Sequence, residues 1–150
     1  MPRSSKSFLF PDVNVWVALS FEGHVHHSVA RDWFESLAPD DDARLCFCRI
    51  TQLSLLRLLT TEAVMGEDEV LTQPAAWTVY DRWFEDPRTM FLDEPANLER
   101  KFRMLSRQPR PAAKEWADAY LAAFADEADL RIVTLDRALK EKSAGGILLR

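Results

Sequence analysis

The stretch FLFPDVNVWVAL, residues 8–19, joins a short apolar strand to the start of a helix. Residues 8–10 have the apolar character of a buried strand, and Pro11 should end it because proline cannot donate a hydrogen bond to a sheet ladder. Asp12 then falls where the helix begins, between two apolar segments. An unpaired buried carboxylate costs several kcal/mol. Asp12 therefore needs a structural partner or a bound ligand.

Outward from this stretch, strand-like and helix-like segments alternate along the chain. Short apolar runs predict strands at 8–10, 45–48, 89–92, 132–134 and 147–149. Amphipathic spacing predicts helices at 26–37, 50–59, 74–85, 97–105, 114–128 and 137–142. The segment APDDDA, residues 38–43, is predicted to be a loop. This alternation favours a single α/β domain over residues 1–150, with a mostly parallel central sheet.

Composition and charge narrow the class of protein. The chain has 150 residues, 47% of them hydrophobic, which is enough for a substantial core. No segment approaches the roughly 18 apolar residues of a membrane span. The apolar part of the N-terminal segment is too short for a secretory signal, so we expect a cytoplasmic protein without membrane contact. Cys46 and Cys48 lie two residues apart, which favours buried reduced thiols over a zinc or redox site.

The net charge of −5 argues mildly against a general nucleic-acid binder, but the cations are unevenly placed. Between residues 98 and 114, six cations face a single acid, Glu99. The basic residues of this run are Arg100, Lys101, Arg103, Arg107, Arg110 and Lys114. Such a run is typical of a solvated helix face or of an edge that contacts phosphates.

Three aspartates fall where a ligand site of a parallel sheet is expected. Ligands of open parallel sheets bind at the carboxyl ends of the strands. Asp12 follows the first predicted strand, Asp136 follows the fourth, and Asp118 lies early in the helix between residues 114 and 128. Repulsion among converged carboxylates favours a neutralising cation, and Mg²⁺ or Mn²⁺ prefers such oxygen ligands. Alternatively, Asp12 and Asp136 serve only as helix N-caps and Asp118 is solvated.

Four segments, taken in order, resemble the PIN-domain ribonucleases, and more narrowly the VapC-type toxins of toxin–antitoxin pairs. They are PDVNVW (11–16), CRITQLSLLRLLT (48–60), WADAYLAAFA (116–125) and RIVTLDRAL (131–139). The resemblance implies a three-layer sandwich with a five-stranded parallel sheet flanked by helices. It also implies Mg²⁺-dependent endoribonuclease activity on an RNA substrate and inhibition by a cognate antitoxin protein. The tryptophan-rich helices fit core packing, a homodimer contact or a groove for an antitoxin helix.

The resemblance also implies roles for individual residues. Asp12, Asp118 and Asp136 match the first, third and fourth acids of the family's site, and would bind the metal and carry catalysis. Within that set, Asp12 and Asp118 would be the principal ligands, with Asp136 acting directly or through water. Other positions match supporting polar residues, namely Asn14 and Thr134 beside the acids and Thr51 at a helix start. The charge pattern, rather than the resemblance, gives the basic residues Arg100, Lys101, Arg103, Arg107 and Arg110 the expected role of contacting RNA phosphates on either side of the cut.

One position departs from the family pattern. The acid of the T-x-x-E motif is replaced by Ser54, so the second carboxylate is missing. Ser54 could orient a water, Arg57 one turn later could balance the acids or touch a phosphate, and Asp93 or Glu94 could substitute for the lost acid. Packing against the sheet is an equal alternative for Arg57.

Two other functions remain open at this point. A PIN fold without catalysis would bind only RNA or a protein partner, as the loss of the second acid suggests. A phosphatase with Asp12 as a covalent nucleophile is disfavoured, because Asn14 stands where such enzymes carry a second aspartate. The cluster GHVHH around His24, His26 and His27 favours a helix start over a metal site, because no acid or cysteine accompanies it at a familiar spacing.

Overall fold

The computed structural model describes residues 8–37 and 42–150. The basic N-terminal residues 1–7 and positions 38–41 of the predicted loop lie outside the described residues.

Five parallel strands form one sheet in the order β3-β2-β1-β4-β5. The strands are β1 (Phe8–Pro11), β2 (Arg44–Phe47), β3 (Thr89–Phe91), β4 (Arg131–Thr134) and β5 (Ile147–Leu148). The helices are α1 (Val13–Ser20), α2 (His27–Ser36), α3 (Arg49–Leu59), α4 (Glu62–Met65), α5 (Gln73–Trp83), α6 (Leu98–Leu105), α7 (Trp116–Ala128) and α8 (Arg137–Lys142). The predicted α/β fold with a five-stranded parallel sheet is confirmed.

Local differences from the predicted elements have simple causes. Pro11 is the last residue of β1 rather than the residue after it, because a missing N–H is tolerated at a strand end. Helix α4 was not predicted, since four residues are too few to show a helical period. The predicted helix 114–128 is preceded by a 3₁₀ turn, Ala113–Glu115, and the α-helix itself starts at Trp116.

Apolar side chains fill both faces of the sheet. Successive strand residues point to opposite faces, so Leu9 packs in one core cluster and Phe10 in the other. On the first face, Trp16 of α1 stacks on Phe47 of β2 with ring centroids 3.9 Å apart. On the second face, Phe10 stacks on Phe124 of α7 at 5.2 Å. Each fully buried side chain of this size contributes about 1.5–3 kcal/mol, and these contacts hold α1 and α7 against the sheet.

The two cysteines behave as predicted. Cys46 and Cys48 are buried and carry free thiols. Burial raises the pKa of Cys46 to about 12 and also raises that of Cys48. Both thiols therefore stay protonated and unreactive near neutral pH.

The strand order brings distant parts of the chain to one edge of the sheet. Strand β1 lies between β2 and β4, with Leu9 in register with Leu45 on one side and Pro11 with Val133 on the other. The carboxyl ends of β1 and β4 are therefore neighbours, and the residues that follow them meet. Within the described ranges, none of the helices has the length and apolar character needed to cross a membrane.

Candidate active site

Asp12 lies at the carboxyl end of β1 and caps helix α1. Its Oδ1 accepts a hydrogen bond from the backbone N–H of Val15 at 3.1 Å, and its own N–H donates to the carbonyl of Val133 at 3.0 Å. The residue is only 5% exposed. The N-cap interpretation of Asp12 is therefore correct, but it accounts for one carboxylate oxygen and leaves the other for a different partner.

Thr134, the last residue of β4, is that partner. Its hydroxyl donates a short hydrogen bond to Oδ2 of Asp12, and its Oγ1 accepts from the backbone N–H of Asp136 at 2.9 Å. Thr134 is fully buried. The Thr134 hydroxyl thus orients the side chain of Asp12 and the backbone of Asp136.

Asp136 and Asp118 lie at the N-terminal ends of α8 and α7, respectively. Asp136 is the N-cap of α8, and its Oδ1 accepts from the backbone N–H of Ala138 at 2.9 Å. Its side chain is exposed. Asp118 lies in the first turn of α7 and is half-buried. The interpretation of Asp136 as a helix cap is correct, whereas Asp118 is not simply a solvated helix residue.

The electrostatics of the three acids indicate that Asp136 lies near both Asp12 and Asp118. Burial raises the pKa of Asp12 to about 6, against hydrogen bonds from Thr134, Val15 and the backbone of Asn14, and the charge of Asp136 raises it further. The pKa of Asp118 is also raised, first by burial and then by the charge of Asp136. Asp136 therefore repels both other acids, and added positive charge at this edge would stabilise all three carboxylates.

The donor set suits a hard divalent cation. All three side chains offer carboxylate oxygens, and each keeps lone pairs beyond those used in the hydrogen bonds above. Within the part of the chain that the structure describes, no three His, Cys, Asp or Glu side chains form a preformed metal-binding group. Mg²⁺ is usually held by one or two carboxylates, waters and substrate phosphates rather than by a closed protein cage. The residues fit such an open site.

The other residues predicted for the site have different surroundings. Asn14 is exposed, and its backbone N–H, rather than its side chain, is the group that lowers the pKa of Asp12. Thr51 is buried in a capping box at the start of α3, where its Oγ1 accepts from the N–H of Cys48 at 3.0 Å. Thr51 therefore holds the helix that follows β2.

Ser54 and Arg57 line an apolar groove between α3 and α5 together with Leu53, Ala76 and Trp77. Across the described ranges 8–37 and 42–150, no hydrogen bond or ion pair joins Ser54 or Arg57 to the three acids. Glu94, considered as a substitute acid, accepts a hydrogen bond from the hydroxyl of Tyr120 at 2.8 Å.

Most of the predicted phosphate-binding cations are engaged by acids of the protein itself. Lys101 pairs with Asp126 at 2.8 Å, Arg103 with Glu99 at 3.1 Å, and Arg110 with Glu115 at 3.1 Å. Arg100 and Arg107 are exposed and form no ion pair with a described residue. The basic run is therefore a partly neutralised surface, with its remaining charge at these two arginines.

Two residues beside Asp118 were missed by the sequence analysis. Lys142, on α8, lowers the pKa of Asp118 by its charge and pairs with Glu115 at 3.4 Å. Glu115 precedes Asp118 by three residues, which places both on one side of the start of α7. That spacing was a readable signal for Glu115, whereas the position of Lys142 depends on how α8 packs.

The histidine cluster marks a helix start, as expected. His26 is the N-cap of α2, and a ring nitrogen of His27 hydrogen-bonds to the carbonyl of Ala18 at 2.7 Å. His24 contacts the backbone N–H of His26 through Nδ1 at 3.0 Å. These contacts link the loop to α1 and need no metal.

Comparison with known proteins identifies the family to which the chain belongs. The PIN domain family model matches residues 9–145, so the chain belongs to the PIN-domain family. The predicted resemblance to VapC ribonucleases is confirmed by the relatives. The chain is 42% identical to Ribonuclease VapC41 of Mycobacterium tuberculosis over 146 residues, or 95% of this chain and 97% of that protein. It is 28% identical to Ribonuclease VapC29 of the same organism over 130 residues, 85% of each.

Solved structures share the fold. VapC20 of Mycobacterium tuberculosis, described as a sarcin-ricin loop cleaving toxin, superposes with a TM-score of 0.65 at 16% identity, covering 95% of this chain and 99% of that one. VapBC2 from Rickettsia felis, solved with a DNA fragment from its promoter, gives a TM-score of 0.65 at 14% identity, covering 94% of this chain and 96% of that one. At these identities the likeness concerns the fold.

Proposed function

We propose that this chain is a metal-dependent endoribonuclease that acts as the toxin of a type II toxin–antitoxin pair. The observation that carries the proposal is the set of Asp12, Asp118 and Asp136 near the carboxyl edge of the sheet, in which the charge of Asp136 raises the pKa of both other acids. The 42% identity to Ribonuclease VapC41 supports RNA as the substrate.

The roles of the acids follow from their positions. In this proposal Asp12 and Asp118 would hold Mg²⁺, with Mn²⁺ as a substitute, and Asp136 would support the cation directly or through a water. When bound, the cation supplies Lewis-acid stabilisation of the charge that develops as water attacks phosphorus. Thr134 positions Asp12 by donating to Oδ2, so that the carboxylate keeps one orientation. Hydrolysis of the phosphodiester is then the reaction this edge supports best.

The replacement of the second acid by Ser54 favours one competing function, an RNA- or protein-binding module without catalysis. Against it stand the three retained acids and the buried hydroxyl that orients Asp12. We propose that the three-acid site is catalytically active, because Mg²⁺ needs few protein carboxylates when phosphate oxygens complete its coordination.

Cleavage of a mixed RNA pool by the purified chain tests this proposal. Mg²⁺ or Mn²⁺ should support cleavage, EDTA should stop it, and Asp12→Ala and Asp118→Ala should each remove most of the activity. Asp81→Ala, an exposed acid on α5, is the matched control and should cleave normally. RNA left intact by a folded wild-type chain with either metal would move the assignment to the binding module.

The assembly is proposed on separate grounds. We propose a cognate antitoxin as inhibitor, a homodimer as the assembled toxin, and the cytoplasm, where RNA is present, as the place of action. The groove lined by Leu53 and Trp77, which are 58% and 46% exposed, is an apolar surface of the kind that association covers. We assign it to a second copy of the chain. Leu53→Asp should convert a dimer to a monomer in light scattering, and an unchanged mass would contradict this assignment.

A further inference from the structure

Trp116 is an exposed aromatic residue that precedes Asp118 by two positions at the start of α7. It begins α7 and is 58% exposed, although its ring packs edge-on against Phe102 of α6 with centroids 6.1 Å apart. The contact with Phe102 holds one side of the indole and leaves more than half of the residue open to solvent. An exposed aromatic ring held in this way is suited to stacking on a nucleobase.

Two cations meet at the residue before Trp116. The Glu115 carboxylate pairs through Oε2 with Arg110 at 3.1 Å and through Oε1 with Lys142 at 3.4 Å. Arg110 comes from the loop before α7 and Lys142 from the end of α8. A single carboxylate therefore gathers charges from two separate elements at the start of α7.

These residues form a continuous path from the acids to the indole. Lys142 lies close enough to Asp118 to lower its pKa by charge. At the other end of the path, Arg110, Glu115 and Trp116 line one small pocket of about 90 Å³. Lys142 thus acts on both Asp118 and Glu115, and Arg110 and Trp116 meet Glu115 at the pocket, with a cation paired to each carboxylate oxygen of Glu115.

We infer that Arg110, Glu115, Trp116 and Lys142, the strand-binding surface, hold single-stranded RNA beside the scissile phosphate, with a base stacked on Trp116 and phosphates on Arg110 and Lys142. The inference rests on the proposed ribonuclease function and adds the residues that place the strand. Single-stranded RNA suits this surface because its unstacked bases offer open faces and its phosphates complement the two cations.

Glu115 is a positioning residue in this arrangement. Without RNA it neutralises Arg110 and Lys142 and keeps them together. A phosphate that arrives at either cation competes with the carboxylate for the same donors. Glu115→Gln should therefore bind RNA several-fold more tightly and with a steeper salt dependence, whereas loss of a merely structural ion pair would not strengthen binding.

Fluorescence anisotropy with the full chain and a labelled single-stranded RNA of mixed sequence, in EDTA, measures this binding without cleavage. Trp116→Ala should weaken binding by roughly 5- to 150-fold, the range expected for one stacked base. Trp116→Phe, which keeps a ring, should retain most of the affinity. Val25→Ala removes an exposed apolar side chain from the loop between α1 and α2 and is the control, with no expected change.

The salt dependence gives a second, independent measurement. Lys142→Ala should lower the slope of log affinity against log salt by about 0.7, the value for one phosphate contact to a single strand. Lys140→Ala removes an exposed lysine of the same helix and should change the slope much less. If Trp116→Ala does not fold, the salt dependence is sufficient as a test. Equal slopes of log affinity against log salt for Lys142→Ala and Lys140→Ala would then overturn the inference.

Failure of this inference is distinguishable from failure of the proposed function. Equal RNA affinity of the folded Trp116→Ala and Val25→Ala variants overturns the strand-binding surface. The ribonuclease function is tested separately, by cleavage. It is supported if the wild type cleaves RNA with metal and Asp12→Ala abolishes that cleavage, whatever the binding measurements show.

Discussion

Replacing Asp12 by asparagine should stabilise the metal-free protein near neutral pH while removing its response to Mg²⁺. Burial raises the pKa of this carboxyl from 3.8 to about 6. Each pKa unit corresponds to about 1.4 kcal/mol, so the ionised carboxylate costs the folded state about 3 kcal/mol above pH 6. Asparagine removes this charge and keeps an oxygen for the N-cap hydrogen bond with Val15.

The net gain is smaller than the electrostatic cost, because the amide oxygen that caps Val15 leaves the amide nitrogen facing Thr134, and this nitrogen cannot accept a hydrogen bond from the Thr134 hydroxyl. The loss of a hydrogen bond of this kind costs about 1 kcal/mol. We therefore expect Asp12→Asn to raise the free energy of unfolding in EDTA at pH 7.5 by about 1–2 kcal/mol. For a chain of this size that corresponds to a rise of about 2–8 °C in the unfolding temperature.

The pH dependence of the stability difference between Asp12→Asn and the wild type shows whether the buried charge is its cause. As pH rises from about 4 to about 6, the unfolded chain releases the Asp12 proton first, so the wild type loses stability over that interval. Below the unfolded pKa the carboxyl is protonated in both states, and the stabilisation by Asp12→Asn should vanish. Above the folded pKa the difference should be constant.

Thermal unfolding with and without Mg²⁺ between pH 3.5 and 8 is the assay. The wild type should gain stability from Mg²⁺ at pH 7.5, Asp12→Asn should gain little, and Asp81→Asn should behave as the wild type. A variant less stable than the wild type at pH 7.5, or a difference that does not depend on pH, would refute the reasoning about the buried charge. Equal stabilisation of both proteins by Mg²⁺ would refute the assignment of Asp12 as a ligand.

Three further predictions concern single groups. Thr134→Val removes the donor to Asp12, so the pKa of Asp12 should rise further, and the pH profile of RNA cleavage should shift to more alkaline values together with a lower maximal rate. Thr89→Val should raise the free energy of unfolding by about 1 kcal/mol in urea titrations, because Oγ1 of Thr89 is buried without a hydrogen-bond partner in the described structure. Cys46 and Cys48 should resist a thiol reagent in the native protein and react on unfolding; labelling at the same rate in both states would contradict their burial.

The parts of the fold that were predictable are those governed by short-range patterns. Buried parallel strands are short apolar runs, which locates all five of them within one or two residues. Helix α8 was predicted with its observed bounds, Arg137–Lys142, because Asp136 supplies a recognisable N-cap. The positions of Asp12 and Asp136 after β1 and β4 follow from the same patterns.

What the sequence did not reveal depends on packing between distant segments. The hydrogen bond from Thr134 to Asp12 spans 122 residues and exists only because β1 and β4 pair. The pair of Lys142 with Glu115 spans 27 residues and depends on the angle at which α8 meets α7. The pairing of Lys101 and Arg103 with acids could not be seen from the basic run alone. The catalytic, metal and RNA-binding roles of the site residues stay predictions until the variants are measured.

The central position of β1 has a consequence for when the proposed catalytic site can form during synthesis of the chain. Asp12 leaves the ribosome early, but its hydroxyl partner on β4 is made 122 residues later. At roughly 5–20 residues per second, that interval lasts about 6–25 s. During it, β1 lacks one of its two neighbours and the acids cannot assemble. The proposed ribonuclease site therefore cannot form while most of the chain is still being translated, and the proposed inhibitor has that interval to reach the chain.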